Sequence, residues 1–339
     1  MPRYSFIIPV YNRPDEADEL LASLCHQTVT DFEVLVVEDG SSQPCDAVVA
    51  RYADRLAVRY LVKENGGPGP ARNYGAERAT GDYLLILDSD CVLPDGYLAA
   101  IDAELQREPA DAFGGPDRAH DSFTPVQKAI SYAMTSFFTT GGIRGGKKKL
   151  DKFYPRSFNM GIRADLYRQL GGFAAMRFGE DVDFSLRICE SGASCRLFPE
   201  AWVWHKRRTD FRKFFRQVHN SGIARINLHL RHPGSMKIVH LLPAAFTVAL
   251  AVAVVLIIAG IATGVRWLAW LPLCAIVFYA LLLLADSTLQ NRSLRVGLLS
   301  VPASFIQLTG YGSGFLRAWY RRCLRHQDEF SAFSKNFYK

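Results

Sequence analysis

Tyr83-Leu84-Leu85-Ile86-Leu87-Asp88-Ser89-Asp90 is a short apolar run that stops on two carboxylates one residue apart. A continuous apolar run of this length, closed by turn residues, reads as a strand buried on both faces. Three more such runs precede it: Tyr4 to Val10, Phe32 to Val37 and Val58 to Val62. The segments between them have helical spacing. These are Asp15 to Cys25 (Ala17, Leu20, Leu21 and Leu24 on one side), Ala47 to Leu56, and Ala71 to Ala79. Strand and helix in alternation predict an α/β fold, a mostly parallel sheet flanked by helices on both faces. Ligands of such sheets sit at the carboxyl ends of the strands. Polar residues gather at three of those ends: Asn12, Asp39, and Asp88 with Asp90.

Each polar position has a chemical reading and a plain one. Paired carboxylates at a strand end suit Mg²⁺ or Mn²⁺, which take oxygen ligands and substrate phosphates; Asp-Ser-Asp is also a good turn sequence. Asp39, in Asp39-Gly40-Ser41-Ser42, is placed to accept hydrogen bonds from a base or ribose, or simply to form a turn. Arg72 opens a helix after Pro70, where a cation opposes the helix dipole unless an anion is bound. A diphosphate would resolve that conflict, and a solvated surface arginine is the ordinary alternative. Glu180, Asp181 and Asp183 crowd the start of another helix, as capping acids often do. Crowded acids also raise one another's pKa, which suits a general base. His205 ends the short strand Trp202-Val203-Trp204, where it completes a metal site or serves the fold.

In chain order, Ile7-Ile8-Pro9-Val10-Tyr11-Asn12, Val36-Val37-Glu38-Asp39-Gly40-Ser41-Ser42, Gly67-Pro68-Gly69-Pro70-Ala71-Arg72-Asn73 and Ala79-Thr80-Gly81-Asp82 through Asp90 are followed by Asn159-Met160-Gly161-Ile162-Arg163, Leu170-Gly171-Gly172-Phe173 and Gly179-Glu180-Asp181-Val182-Asp183-Phe184. In this order the pieces resemble a family 2 glycosyltransferase of the GT-A fold, over roughly the first 205 residues. The resemblance implies sugar transfer from a nucleotide-diphosphate donor with inversion at the anomeric carbon. It implies that Pro9, Tyr11 and Asp39 hold the base and ribose, that Arg72 lies near the diphosphate, and that Asp88 contacts the ribose side. It further implies Asp90 as ligand to Mn²⁺ or Mg²⁺, joined by His205, and Asp181 as the base with Glu180 beside it. Residues 1–115 are then the nucleotide-sugar half of the domain and 116–205 the acceptor-binding and catalytic half. Processive synthases of the family carry Gln-x-x-Arg-Trp before their membrane spans. Here Arg216-Gln217-Val218-His219-Asn220-Ser221-Gly222 has no Arg-Trp pair, so transfer of a single sugar is expected rather than processive synthesis. A nicotinamide enzyme would need Gly-x-Gly-x-x-Gly where the chain reads Pro9-Val10-Tyr11-Asn12-Arg13-Pro14. An inactive membrane scaffold is the remaining alternative.

The 339 residues are 49% apolar and 22% charged, which excludes a disordered chain, a collagen and a disulfide scaffold. The seven cysteines include no Cys-x-x-Cys pair, so reduced thiols are expected and a zinc site is not. No long apolar run follows Arg3, so no secretory signal is expected. The last third differs from the rest. Runs of 28, 19 and 21 residues, Ile238–Val265, Trp267–Ala285 and Val296–Leu316, contain no Asp, Glu, Lys or Arg. Nine Lys or Arg and one acid lie between Lys206 and Lys237, and six against two follow from Arg317. Positive charge that flanks apolar runs fits anionic membrane lipids and not nucleic acid. Phe211, Phe214, Phe215 and Val218, interleaved with Arg212, Lys213 and Arg216, make 206–237 a basic amphipathic segment expected at the interface. Residues 238–285 are expected to form a transmembrane hairpin; Leu241 to Ala262 alone would measure about 33 Å as a helix. The tight link Thr263–Arg266 holds one basic residue, so the positive-inside rule places it outside. The catalytic domain is then cytoplasmic, on a multi-pass protein of the inner membrane. In 286–339 a third apolar segment, with Ser300, Pro302, Gly310, Gly312 and Gly314, is expected to be re-entrant or interfacial and to end in a basic tail. The acceptor is expected to be a polyprenyl-linked sugar or a cell-surface glycan, its phosphates within reach of Lys147, Lys148 and Lys149 in a Gly- and Lys-rich loop at 141–156.

Overall fold

The computed structural model describes residues 2–118, 123–141 and 153–329. Lys147 to Lys149 and the end of the basic tail lie outside the described residues. In chain order the elements are β1 (Tyr4–Val10), α1 (Pro14–Leu24), β2 (Phe32–Asp39), α2 (Asp46–Ala50), β3 (Val58–Lys63), α3 (Pro68–Ala76), β4 (Tyr83–Leu87), β5 (Cys91–Val92) and α4 (Tyr97–Arg107). They continue with β6 (Ala112–Gly114), β7 (Asp117–Arg118), α5 (Pro125–Thr135), α6 (Phe137–Thr140), β8 (Asn159–Arg163), α7 (Ala164–Gln169), α8 (Glu180–Glu190), β9 (Cys195–Leu197) and β10 (Val203–His205). The rest is helical: α9 (Phe211–Arg231), α10 (Leu242–Thr263), α11 (Arg266–Asn291) and α12 (Leu294–Trp319). They divide into two compact units. One comprises described residues up to Arg118 and from 153 to 206; the other comprises 123–141 and 207–329.

The first unit is built on a seven-stranded sheet in the order β3-β2-β1-β4-β8-β6-β9. Strands β1 to β4 are parallel, β1 lying between β2 and β4. β8 runs antiparallel to both its neighbours, so the sheet is mixed at that side. The strands alternate between two cores. Phe6, Ile8, Val34, Val36, Leu85 and Leu87 pack with Leu20, Leu21 and Tyr97 of the flanking helices. Ile7, Leu35, Leu84 and Ile86 point the other way, onto Ala76, Met160, Phe173 and Phe184. Burial on both faces is why these strands read as unbroken apolar runs. Helix α3 starts at Pro68, three residues before the expected Ala71. Gly67 at φ 92° makes the turn, and Pro68 needs no hydrogen-bonded N–H in the first turn. Of a second, three-stranded sheet, β5-β10-β7, only β10 was legible in the sequence, as the short strand ending at His205. Its strands are two or three residues long, too short for a periodic signal.

The helical unit departs from expectation in three respects. First, 123–141 groups with it and not with the catalytic half. Ala129, Ile130, Ala133 and Met134 of α5 form a core with Phe214, Val218, Val296 and Ala303. Second, that core engages the apolar face of α9, which turns Phe214 and Val218 onto protein and leaves Phe215 exposed, so α9 is a packing helix before it is an interfacial one. Third, the chain does not double back within Leu294–Trp319; α12 is one continuous helix, so of the two alternatives expected for this segment the re-entrant one does not hold. Its glycines serve close approach: a side chain at Gly314 would strike the backbone of His219, and one at Gly312 that of Pro243. Among the described residues two helices, Ile238–Thr263 and Arg266–Asn291, are long and apolar enough to cross a membrane. Only 11% and 6% of their apolar windows are buried, so protein does not cover them.

Gly75 of α3 tests the packing of the parallel sheet. A Cβ there would lie 2.8 Å from Ile7 Cγ2 and 3.0 Å from Val37 Cγ2. Gly75→Ala gains about 1 kcal/mol of helix propensity and loses about 1–3 kcal/mol to overpacking against two β-branched residues of central strands. The net expectation is a lower midpoint in thermal unfolding; an unchanged or raised midpoint would contradict this packing.

Candidate active site

The carboxyl ends of β1, β2 and β4 meet three loops, and the side chains singled out from the sequence in this unit, Asp183 excepted, lie along that edge or face it. At β2, Asp39 is 1% exposed. Its carboxylate accepts from Lys63 Nζ at 2.6 Å, Gly66 N at 3.0 Å and Gly67 N at 2.7 Å. Its backbone oxygen accepts from Asn65 Nδ2 at 2.7 Å. Asp39 thus fixes the loop that launches α3. Pro9 and Tyr11 are half-buried at the end of β1. Asn12, at φ 53°, accepts through Oδ1 from Ser42 N at 2.8 Å and Gln43 N at 2.9 Å, and so ties the β1 and β2 loops together.

Arg72 sits in the first turns of α3 and is 3% exposed. Its Nη2 donates to Asp88 Oδ1 at 2.8 Å and its Nη1 to Glu180 Oε1 at 3.2 Å, with the guanidinium 5.0 Å from the Phe173 ring centre. Burial works against this cation, but Asp88 and Glu180 outweigh burial and hold its pKa above the ordinary arginine value. The anion that the helix dipole argument demands is therefore supplied by the protein itself. Glu180 opens α8 after Gly179, whose φ is 84°. Burial pushes its carboxyl up to about 7; Arg72 opposes this and Asp181 adds to it. Asp181 is paired with Arg156 Nε at 3.1 Å, with about a fifth of its side chain exposed. Asp183 faces the other way: it holds Arg187 at 2.9 Å, and Arg187 donates to the carbonyls of Leu170 and Gly172 at 2.8 and 2.6 Å.

Asp90 lies at the turn after β4. Its Oδ2 accepts from Arg13 Nη1 at 2.8 Å, and its Oδ1 is 3.2 Å from His205 Nε2. Register explains the second contact, because His205 of β10 pairs opposite Cys91 of β5. The Phe158 ring stacks on His205 at 4.9 Å. Asp90, Cys91 and His205 offer ligand atoms within 4.8 Å of one another. Burial pushes the Cys91 thiol well up, so it is not the thiolate a soft metal would need. A carboxylate and an imidazole remain, a donor set that fits Mn²⁺.

Sequence reasoning missed several members of the cluster. Arg13 was read only as part of a loop, and Arg156 follows Pro155 with no periodic context. Asn73 accepts from Phe173 N at 2.9 Å and Tyr167 OH at 2.6 Å, fixing the Gly171-Gly172 turn against α3. Glu38 is 2% exposed and accepts from Cys45 N at 2.8 Å and from Ser41. For Asn73 and Glu38 the signal was their place inside the quoted motifs.

Residues 5–171, about half of the chain, match the model of glycosyl transferase family 2. An uncharacterized glycosyltransferase of Rickettsia felis is 32% identical over 137 residues, which are 40% of this chain and 22% of that protein. The uncharacterized glycosyltransferase EpsJ of Bacillus subtilis is 31% identical over 193 residues, 55% of this chain and 54% of that one. The chain thus spans about a fifth and about half of these relatives' lengths. A mannosyltransferase of Pyrobaculum calidifontis, solved with GDP-Man and Mn²⁺, has the same fold at a TM-score of 0.56, 19% identity and 92% and 87% coverage of the two chains.

Glu180 gives a pH test. Its folded-state pKa lies at about 7 against an ordinary value of 4.5, so the folded chain holds this proton more tightly than the unfolded one. The contribution is present in full below the unfolded value and is lost as pH rises through the folded one. Thermal midpoints from pH 4.5 to 7 should therefore fall less steeply in Glu180→Gln than in the parent. Parallel profiles would show that Glu180 ionises normally.

Proposed function

We propose that the chain moves a single sugar from a nucleotide-diphosphate donor to a lipid-linked or glycan acceptor at the cytosolic face of the inner membrane, with inversion. The observation that carries this reading is the double contact of Arg72, which ties Asp88, two residues before Asp90, to Glu180, the neighbour of Asp181. It joins a metal-type donor set at one end to a partly exposed carboxylate at the other. The fold relative from Pyrobaculum calidifontis holds GDP-Man and Mn²⁺, the ligand class assigned here.

The roles follow from the surroundings. Pro9 and Tyr11 border the base and ribose, in a loop frame that Asp39 holds rigid through its four donors. Asp88 has 30% of its side chain exposed and turns one oxygen to Arg72, leaving an edge for the ribose side. Arg72 is held as a buried cation behind the diphosphate. Asp90 and His205 would hold the divalent cation, which when bound neutralises charge that grows on the leaving diphosphate. On the opposite face of the sugar, Asp181 takes the proton from the acceptor hydroxyl, and Arg156, 3.1 Å away, orients that carboxylate. Attack from one face and departure from the other invert the centre in one step. Glu180, buried against Arg72, supports Asp181 and does not meet the acceptor. The missing Arg-Trp pair before the spans supports one transfer per encounter, and two uncovered apolar helices support an acceptor held at the membrane.

The test is turnover of the full chain in detergent against a panel of nucleotide sugars, with Mn²⁺ or Mg²⁺. Asp181→Asn should lower kcat by about 10²- to 10⁴-fold, the range for loss of a general base. Asp90→Ala should abolish the dependence of activity on added metal. Full turnover in both variants would overturn these residue roles, and no turnover by the parent chain with any donor would leave the inactive scaffold as the better reading.

A further inference from the structure

We infer that the corner between α5 and α6 lies inside the cytosolic leaflet, with the rings of Phe137 and Phe138 against lipid acyl chains. The inference rests on the membrane reading above and adds to it a second lipid-embedded element, outside the apolar hairpin. Residues 129–141 contain no Asp, Glu, Lys or Arg.

Depth is read off α11. Tyr132 OH donates to Asp286 Oδ2 at 2.6 Å, and Asp286 is the first charged residue after the apolar run of that helix. Tyr279 OH donates to the Phe138 carbonyl at 2.9 Å. Tyr279 precedes Asp286 by seven residues, about 10 Å along a helix. From Tyr132 to Phe138 the chain therefore descends along α11 into its apolar run. It then climbs back: a side chain at Gly141 would lie 3.1 Å from Val239, beside the start of α10.

The hydrogen bonding of the corner suits that depth. Backbone that is not helical finds no water in hydrocarbon and must be satisfied by protein. Thr139 Oγ1 donates to the Ala133 carbonyl at 2.7 Å, Thr140 Oγ1 donates to the Ser136 carbonyl at 2.9 Å, and Ser136 Oγ accepts from Phe138 N at 3.2 Å. Thr139 and Ser136 thus close the Ala133 carbonyl and the Phe138 N–H at the break between α5 and α6, and Tyr279 closes the Phe138 carbonyl at the far end of α6. Phe137 is nevertheless 72% exposed and Phe138 40%. Their neighbour at that depth is α11, itself uncovered by protein, so the occupant that continues across both surfaces is lipid.

The experiment places a bimane on Cys introduced at 137 in the full chain, with its native cysteines replaced, in nanodiscs. Parallel labels at Val255 of α10 and Val62 of β3, both exposed, report a span and an aqueous surface. Phe137→Cys should be quenched by acyl-chain spin-labelled lipid and protected from iodide, as Val255→Cys is, while Val62→Cys shows the reverse. Iodide access at 137 with lipid quenching at 255 overturns this inference alone. Iodide access at both overturns the membrane reading as well. Protection at 137 from both quenchers means a protein surface, such as a second copy, covers the corner, and this also overturns it. Should the cysteine-free chain fail to fold, the native chain is photolysed with a diazirine-acyl lipid; adducts on residues 137–141 are expected, and adducts confined to α10 and α11 overturn the inference.

Discussion

A guanidinium as deeply buried as that of Arg72 has to be neutralised where it stands, and this requirement organises the catalytic unit. Taking one partner from a buried ion pair typically costs about 3–5 kcal/mol, because the remaining charge is left in a poor solvent. Arg72 has two partners, and they come from different parts of the chain: Asp88 from the end of β4 and Glu180 from the start of α8. The parallel half of the sheet and the helix that follows the antiparallel strand are locked at one point. Asn73, the next residue, extends the lock through Tyr167 and Phe173 to the turn before α8. The acids of Glu180-Asp181 are thereby delivered to the strand edge by a charge they must serve.

The same logic acts at Asp90 on a smaller scale. Arg13 takes one carboxylate oxygen and His205 faces the other. The imidazole is placed by three independent constraints: strand register opposite Cys91, stacking on Phe158, and the neighbouring backbone bond from Lys206 N to the Asp90 carbonyl at 3.1 Å. A ligand pair preorganised by this many contacts owes little to the ion it would hold. The acids divide by surroundings rather than by spacing. Glu180 is buried and raised, Asp181 is partly exposed beside an arginine, and Asp183 is consumed by the Arg187 clamp, although all three lie within four residues.

The parallel half of the sheet was legible because its evidence is local. An apolar run of five to seven residues ending in Asp or Asn reports both a doubly buried strand and a polar strand end. Asn12, Asp39, Asp88 and Asp90 came from that signal, and His205 from a shorter run outside the parallel half. What was not legible depends on partners distant in sequence. Arg13, Arg156 and Asn73 have no pattern of their own, since each is defined by a residue 77, 25 or 100 positions away. The Arg72 reading shows the difference. The dipole argument asked for an anion, and the fold supplies Asp88 and Glu180, which no local rule would pair.

The helical part was misread for a related reason. Glycines and serines in an apolar stretch admit two explanations, a broken backbone or a close approach between helices. The expectation of a re-entrant α12 chose the first. The structure has the second, with Gly312 and Gly314 facing the backbones of Pro243 and His219. A chain that breaks its helix in an apolar setting must replace the lost backbone bonds, and so needs hydroxyls that reach specific carbonyls. In α12 the hydroxyls of Ser300, Thr309 and Ser313 donate back within their own helix, which leaves no broken turn to repair. Between α5 and α6 the Thr139 hydroxyl spans a real break, reaching the Ala133 carbonyl six residues back. Composition marks both segments alike; only the target of each hydroxyl separates a tightly packed helix from a chain that breaks between two helices.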